Sequence, residues 1–280
     1  MGKRFGDNMD MKTKITEAVA AIRVRSDAVP TLAVTLGSGL GPLADAFEGI
    51  AIPYGDIPHF PVSTAPGHDG QLLLGTLFGR ACVLMRGRVH MYEGYAPHEV
   101  TFPIRVMQAL GAETVILTNA AGGMRDGMQV GDLVVIEDHL SLAMAAGFDP
   151  LRGPHDPELG ERFVSLNHAY DPALIVKAMA LNTSLTKGVY AHAVGPSFEP
   201  PALIRFLKGA GCDLVGMSTV PEVIVARHCG MRVFALSAVT NICVAEVAET
   251  HITNAEEVFE AAKVIGPKLA DFMARFVPEV

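Results

Sequence analysis

Residues 31–42 read TLAVTLGSGLGP. The first six form a short apolar run of strand-forming residues, after which the chain passes through small residues to Pro42, a type favoured in a first helical turn. A strand that runs into a glycine-rich turn and opens a helix is the repeating step of an α/β protein. Upstream, KITEAVAAIRVR repeats Ile15, Val19 and Ile22 at helical spacing. Downstream, LLLGTLF, ACVLM, TVILT, DLVVIED, LVGM and RVFALSAV have strand length, and VTFPIRVMQALGA and PEVIVARHCG carry helical patterns between them. Many of the strand runs lack a polar face, which places helices on both sides of the sheet. The stretch from Asn254 onward reads as a helix capped by that residue, with Glu257 three positions on, and Gly266-Pro267 should kink or split it.

The chain has 280 residues, half of them hydrophobic, enough to bury a sizeable core. A net charge of -8 without any Lys/Arg-rich run argues against a nucleic-acid binder, so a bound anion should be small and locally held. The N-terminal MGKRFGDNMDMKTK has no apolar core of a leader, and no run of about 18 apolar residues marks a membrane span. Cys82, Cys212, Cys229 and Cys243 form no CxxC pair and read as reduced structural thiols of a cytoplasmic protein. GFDPLRGPHDPELG, residues 147–160, reads as a long ordered surface loop rather than a linker.

RGRVHMYEGY, residues 86–95, interrupts the apolar chain. If the strand through ACVLM continues, its period of two puts Arg86, Arg88, His90 and Tyr92 on one face. Two arginines beside an imidazole are costly to bury unless an anion compensates them, or unless Glu93 does so as an internal salt bridge. In LGSGLGP the backbone N–H groups and the Ser38 hydroxyl can close around an oxyanion, or the glycines can merely turn the chain. Pro42 occupies the third glycine position of a dinucleotide fingerprint and there is no Walker lysine, so a small anion fits better than a pyrophosphate cofactor. PGHDG holds His68 in a turn, and TNAAGGM reads as a loop at a strand's carboxyl end, where open α/β sheets bind ligands. In GPSFEP, Phe198 can stack on a flat heterocycle while Glu199 accepts from its N–H edge, although an exposed turn would use the same residues. GMST and SAVTN end two further strands in polar groups.

Taken in order, LGSGLG, STAPGHDG, RGRVHMYEGY, TFPIRV, TNAAGGM, GPSFE and VGMSTVPEVIVARHCGMRV resemble the trimeric purine nucleoside phosphorylases, from about residue 30 to near residue 275. The resemblance implies one α/β domain over residues 1–280, with a central mixed β-sheet flanked by helices and residues 1–12 flexible. It implies a homotrimer and reversible phosphorolysis of 6-oxopurine (deoxy)ribonucleosides in purine salvage, with phosphate as co-substrate and no metal or organic cofactor. Carried over by position, Ser38, His68, Arg88, His90, the Ala120 backbone and Ser218 would bind phosphate. Tyr92 and Met217 would line the ribose, Glu93 would border the phosphate, and Asn119 and Thr240 would stand beside the substrate. Glu199 and Asn241 would hold the base between Phe198 and Val215, and Phe163 would reach a neighbouring subunit's site. His90, Glu199 and Asn241 would carry the catalysis.

One position departs from the family. Where the animal enzymes have a histidine contacting the sugar 5′-hydroxyl, NAEEV places Ala255, leaving water or His251 to hold that group, or nothing. The competing readings are a phosphorylase preferring xanthosine or a 5′-modified nucleoside, a nicotinamide-dependent oxidoreductase using GSGLG with Asp56 on the ribose, and a non-catalytic nucleoside-binding protein.

Overall fold

The computed structural model describes residues 9–65, 68–247, 250 and 252–280. Nine strands form the sheet: β1 Leu32–Thr35, β2 Phe47–Pro53, β3 Gln71–Leu77, β4 Arg80–Arg86, β5 Thr114–Gly123, β6 Leu133–Ser141, β7 Thr186–His192, β8 Leu214–Gly216 and β9 Arg232–Ile242. The helices are α1 Met11–Arg23, α2 Pro97–Val100, α3 Phe102–Ala109, α4 Leu142–Ala145, α5 Pro172–Leu181, α6 Pro201–Gly209, α7 Val220–His228 and α8 Ala255–Phe276. The order across the sheet is β2-β3-β4-β1-β5-β8-β7-β6-β9, and β9 also pairs with β5, so the last five strands close on themselves. The expected α/β fold with a mixed, helix-flanked sheet is therefore observed, but half of the sheet is a ring rather than an open blade.

Strand periodicity explains why so many strands lack a polar face. In β1, Ala33 points into the core shared with α1, α3 and α7, while Leu32 and Val34 point into the core shared with α5 and α8. Val115 and Leu117 of β5 take the first side and Ile116 the second. A third, smaller cluster joins Ile204 and Leu207 of α6 to Val215 of β8. Strands β4, β1, β5 and β9 run parallel, so the segments following their carboxyl ends gather at one edge.

Four local expectations are corrected. β4 stops at Arg86 because Gly87 turns the chain at φ +99°, and residues 91–93 form a short 3-10 turn, so no strand period runs through Arg88, His90 and Tyr92. TNAAGG is not a loop but the second half of β5, paired throughout with β9. The pair Gly266-Pro267 does not split α8, which is continuous over 22 residues. Met11 and Lys12, placed in the flexible terminus, begin α1, capped by the Asp10 carboxylate, which accepts from the Thr13 N–H at 2.7 Å. The segment 147–160 does run as a loop without helix or strand. All four cysteines are free, and among the described residues no helix is long and apolar enough to cross a membrane.

Candidate active site

At the carboxyl edge of β1, β4, β5 and β9 lies an open cleft. Ser38, Arg88, His90, Tyr92, Asn119, Ala120, Phe198, Glu199, Val215, Met217, Ser218, Thr240 and Asn241 all line it. The sequence and its family resemblance named each of these, from segments more than two hundred residues apart at the extremes.

The end near Ser38 is built around a guanidinium. Arg88, 2 % exposed, ion-pairs with Glu222 of α7 at 3.1 Å and donates from Nη1 to the Thr118 carbonyl at 2.8 Å and to Ser218 Oγ at 3.1 Å. Glu222 also accepts from the Thr219 N–H at 3.1 Å, closing the cap of α7. Thr219 sits at φ +74°, a strained conformation for a β-branched residue, held by that bond and by Asn119 Nδ2 donating to its hydroxyl at 2.9 Å. The loop bearing Ser38 presses on β5 so closely that a Cβ on Gly37 would stand 2.7 Å from Asn119 Cα.

Two histidines orient this end without needing charge. His68 Nδ1 accepts the Arg88 N–H at 2.9 Å, so the ring proton belongs on Nε2, which donates to Ser38 Oγ at 3.0 Å. The Ser38 proton is thereby turned outward, available to an anion. Burial, with His90 and Arg88 nearby, holds His68 at about 3, so it stays neutral. His90 donates from Nδ1 to Glu93 at 3.1 Å, which leaves its Nε2 for a ligand, and its ring stacks on Tyr92 at 4.6 Å. Burial pushes the His90 imidazole below its ordinary value despite the opposing pull of Glu93. Burial disfavours a charged Glu93, but hydrogen bonds from His90 and Thr64 outweigh it and hold the carboxyl down at about 2. His68 and Glu93 are therefore braces behind Ser38 and His90 rather than lining residues. Pro66 and Gly67 of PGHDG lie outside the described residues.

The opposite end combines an amide and a carboxylate. Asn241 is 5 % exposed and stands at a register slip, since Ala121 pairs with Val239 but Gly122 pairs with Asn241. The extra residue, Thr240, re-aims Asn241 as a bulge does. Its hydroxyl lies 3.3 Å from Asn241 Oδ1 and 3.4 Å from the Ala121 carbonyl; donation to Oδ1 leaves Nδ2 as the donor end of the amide. Gly122 leaves room here, since a Cβ would meet Cys243 Sγ at 2.5 Å and Asn241 Nδ2 at 3.3 Å and push both side chains aside. Glu199 Oε1 is buried with no partner among the described residues, and burial raises its carboxyl above the ordinary value.

Other expected residues fall elsewhere. Arg86 does not line the cleft and pairs with Asp69, so the expected cationic face contains one arginine. Asp56 is paired with the exposed Arg25 at 3.1 Å and does not line the cleft, which removes the expected ribose acid of a nicotinamide site. Phe163 is 88 % exposed, outside the cleft, with Arg162 6.0 Å above its ring. His251 lies outside the described residues. Sequence reading missed Glu222, which looked like an ordinary helix residue, and Val258 and Phe259, which join Ala255 in the cleft wall. Their helical spacing was the available signal. Among the described residues, no three His, Cys, Asp or Glu side chains cluster as metal ligands.

Comparison with known proteins agrees with this geometry. A family model described as the phosphorylase superfamily matches residues 31–278. Purine nucleoside phosphorylase 1 of Bacillus subtilis is 50 % identical over 236 residues, 82 % of this chain and 86 % of its own. The purine nucleoside phosphorylase of Bos taurus is 46 % identical over 258 residues, 90 % of this chain and 89 % of its own. The crystal structure of Schistosoma mansoni purine nucleoside phosphorylase with adenosine superposes with a TM-score of 0.92 at 39 % identity, covering 96 % of this chain and 97 % of that one. The schistosome enzyme is also solved with inosine and with guanosine. With the matching profile spanning nearly all of the sheet and its cleft, the chain belongs to the phosphorylase superfamily and is an enzyme of the purine nucleoside phosphorylase kind.

Proposed function

We propose that this enzyme catalyses reversible phosphorolysis of 6-oxopurine ribonucleosides and deoxyribonucleosides, inosine and guanosine foremost, to free base and (deoxy)ribose 1-phosphate in cytoplasmic purine salvage. The observation that carries the reading is the buried Asn241 amide, beside the Thr240 hydroxyl, opposite the Ser38, Arg88, His90 and Ser218 cluster in one cleft.

Inorganic phosphate is the co-substrate, held by Arg88, by the outward hydroxyl of Ser38, by the hydroxyl of Ser218, by His90 Nε2 and by the Ala120 backbone. Glu222 keeps the guanidinium fixed while its charge remains available to the dianion. Cleavage of the glycosidic bond makes the sugar oxocarbenium-like and moves an electron pair onto the purine. Phosphate beneath C1′ stabilises the cation and attacks it, with inversion, and its proton passes to the departing base. Asn241 Nδ2 donates to N7 and O6 as they gain charge, and Glu199 accepts from N1–H, which supplies the partner its buried oxygen lacks. Fixing phosphate and nucleoside in line can remove about 7 to 11 kcal/mol of the barrier. No step calls for a metal or an organic cofactor. In a homotrimer, the exposed Phe163 would close the sugar side of a neighbour's cleft.

An amide that donates to a 6-oxo group disfavours the amino group of adenine. The schistosome relative is solved with adenosine as well as with inosine and guanosine, so binding alone does not decide turnover. The test is release of hypoxanthine from inosine with and without phosphate, beside adenosine. Phosphate-dependent turnover with kcat/KM at least tenfold higher for inosine is expected, and equal values for the two nucleosides would refute the preference.

A further inference from the structure

Ala255, Val258, Phe259 and Ala262 fall at i, i+3, i+4 and i+7 of α8 and so share one face of the helix. The first three line the cleft. The fourth packs on Gly39, where an added Cβ would come within 2.4 Å of Ala262 Cβ, so the face runs from beside Ser38 out to the exposed Ala255. Its three lining side chains have no polar atom. Asn254, which precedes the helix, accepts from the Glu257 N–H at 2.9 Å and is committed to capping it.

A nucleoside anchored by its base at Glu199 and Asn241, with phosphate under C1′, places its sugar between Tyr92, Met217 and this helix. We propose that the apolar face of α8 receives the 5′ end of the sugar, and that the enzyme also phosphorolyses 5′-deoxy and 5′-alkyl-substituted 6-oxopurine nucleosides. The inference rests on the phosphorolysis reading above. The bond changes are the same: a phosphate oxygen bonds to C1′, the C1′–N9 pair leaves on the purine, the phosphate proton ends on the base, and the 5′ group is untouched. A site built to hydrogen-bond a hydroxyl rejects the analogue lacking it by roughly 10⁴ to 10⁵, whereas an apolar wall discriminates weakly.

The test measures kcat/KM at saturating phosphate for inosine, 5′-deoxyinosine and 5′-methylthioinosine, on the native enzyme and on Ala255→His and His251→Ala. Values for all three nucleosides within tenfold of one another are expected, with Ala255→His shifting preference toward inosine at least tenfold. Inosine turnover with 5′-deoxyinosine more than tenfold slower would overturn the inference, as would a His251→Ala enzyme that loses turnover of inosine but keeps that of 5′-deoxyinosine. Turnover of neither nucleoside would refute the phosphorolysis reading itself, and this inference with it.

Discussion

A guanidinium that is 2 % exposed needs a counter-charge, and for Arg88 that is Glu222, a residue no sequence motif attached to the site. Removing one partner of a buried pair leaves the other charge uncompensated, at a cost of about 3–5 kcal/mol. Glu222→Gln should lower unfolding free energy by about that amount in urea titrations and raise the KM for phosphate, since Arg88 would lose its fixed direction. An unchanged urea midpoint would show that Arg88 does not depend on the pair. At the other end of the cleft, Asn241→Asp replaces a donor by an acceptor, which suits an amino group. The ratio of kcat/KM for adenosine to that for inosine should rise at least tenfold, and a constant ratio would place the base selectivity elsewhere. Thr240, whose hydroxyl is within reach of the amide oxygen, could not have been singled out from spacing alone, because its place beside Asn241 arises from the register slip with β5.

Among the elements, α8 shows packing prevailing over a local signal. Pro267 was expected to break it, yet Ile265, Leu269, Phe272, Met273 and Phe276 hold its buried face in one continuous run. Proline costs about 3 kcal/mol in a helix interior, and its stiffening of the unfolded chain returns about 1 kcal/mol. Pro267 is exposed, so Pro267→Ala should raise stability by about 2 kcal/mol without altering the core, as thermal melts would record. A loss of stability instead would mean that the helix bends there for packing. The opposite lesson comes from β4, where the apolar alternation pointed to a longer strand and a single glycine at φ +99° ended it, bringing Arg88 and His90 beside His68.

For the whole molecule, buried neutral histidines tie stability to pH. His68 is held at about 3, and His192 and His228 at about 4, in each case mainly by burial, against an ordinary 6.5. Between pH 6.5 and about 4 the unfolded chain binds protons that the folded chain refuses, so stability falls as pH falls, by up to about 1.4 kcal/mol per unit for each histidine. Glu93 acts lower down: held at about 2 against 4.5, its contribution is complete above 4.5 and is lost as pH drops toward 2. Urea titrations at pH 7.5 and 5 should show the decline, and His192→Gln should make it shallower. An unaltered slope would mean that His192 protonates freely in the fold. Assembly belongs to this scale too. Sedimentation should show a trimer, and Phe163→Ala should raise the KM for nucleoside while leaving the urea midpoint unchanged.

From the sequence alone came the alternation of strands and helices and the two-sided core, because apolar runs and their periods are local properties that survive without the rest of the fold, while the resemblance named most of the side chains that line the cleft. The chemistry of the ends was legible as residue types, with a resemblance supplying their roles. Only the tertiary structure decided which arginine enters the cleft, which carboxylate holds it, that β5 continues through TNAAGG, and that five strands close into a ring. Each of these turns on a contact between segments far apart in the chain: Arg88 with Glu222, Gly37 with Asn119, β5 with β9. Such contacts are set by backbone approach and by the pairing of buried charge, which no window of sequence contains.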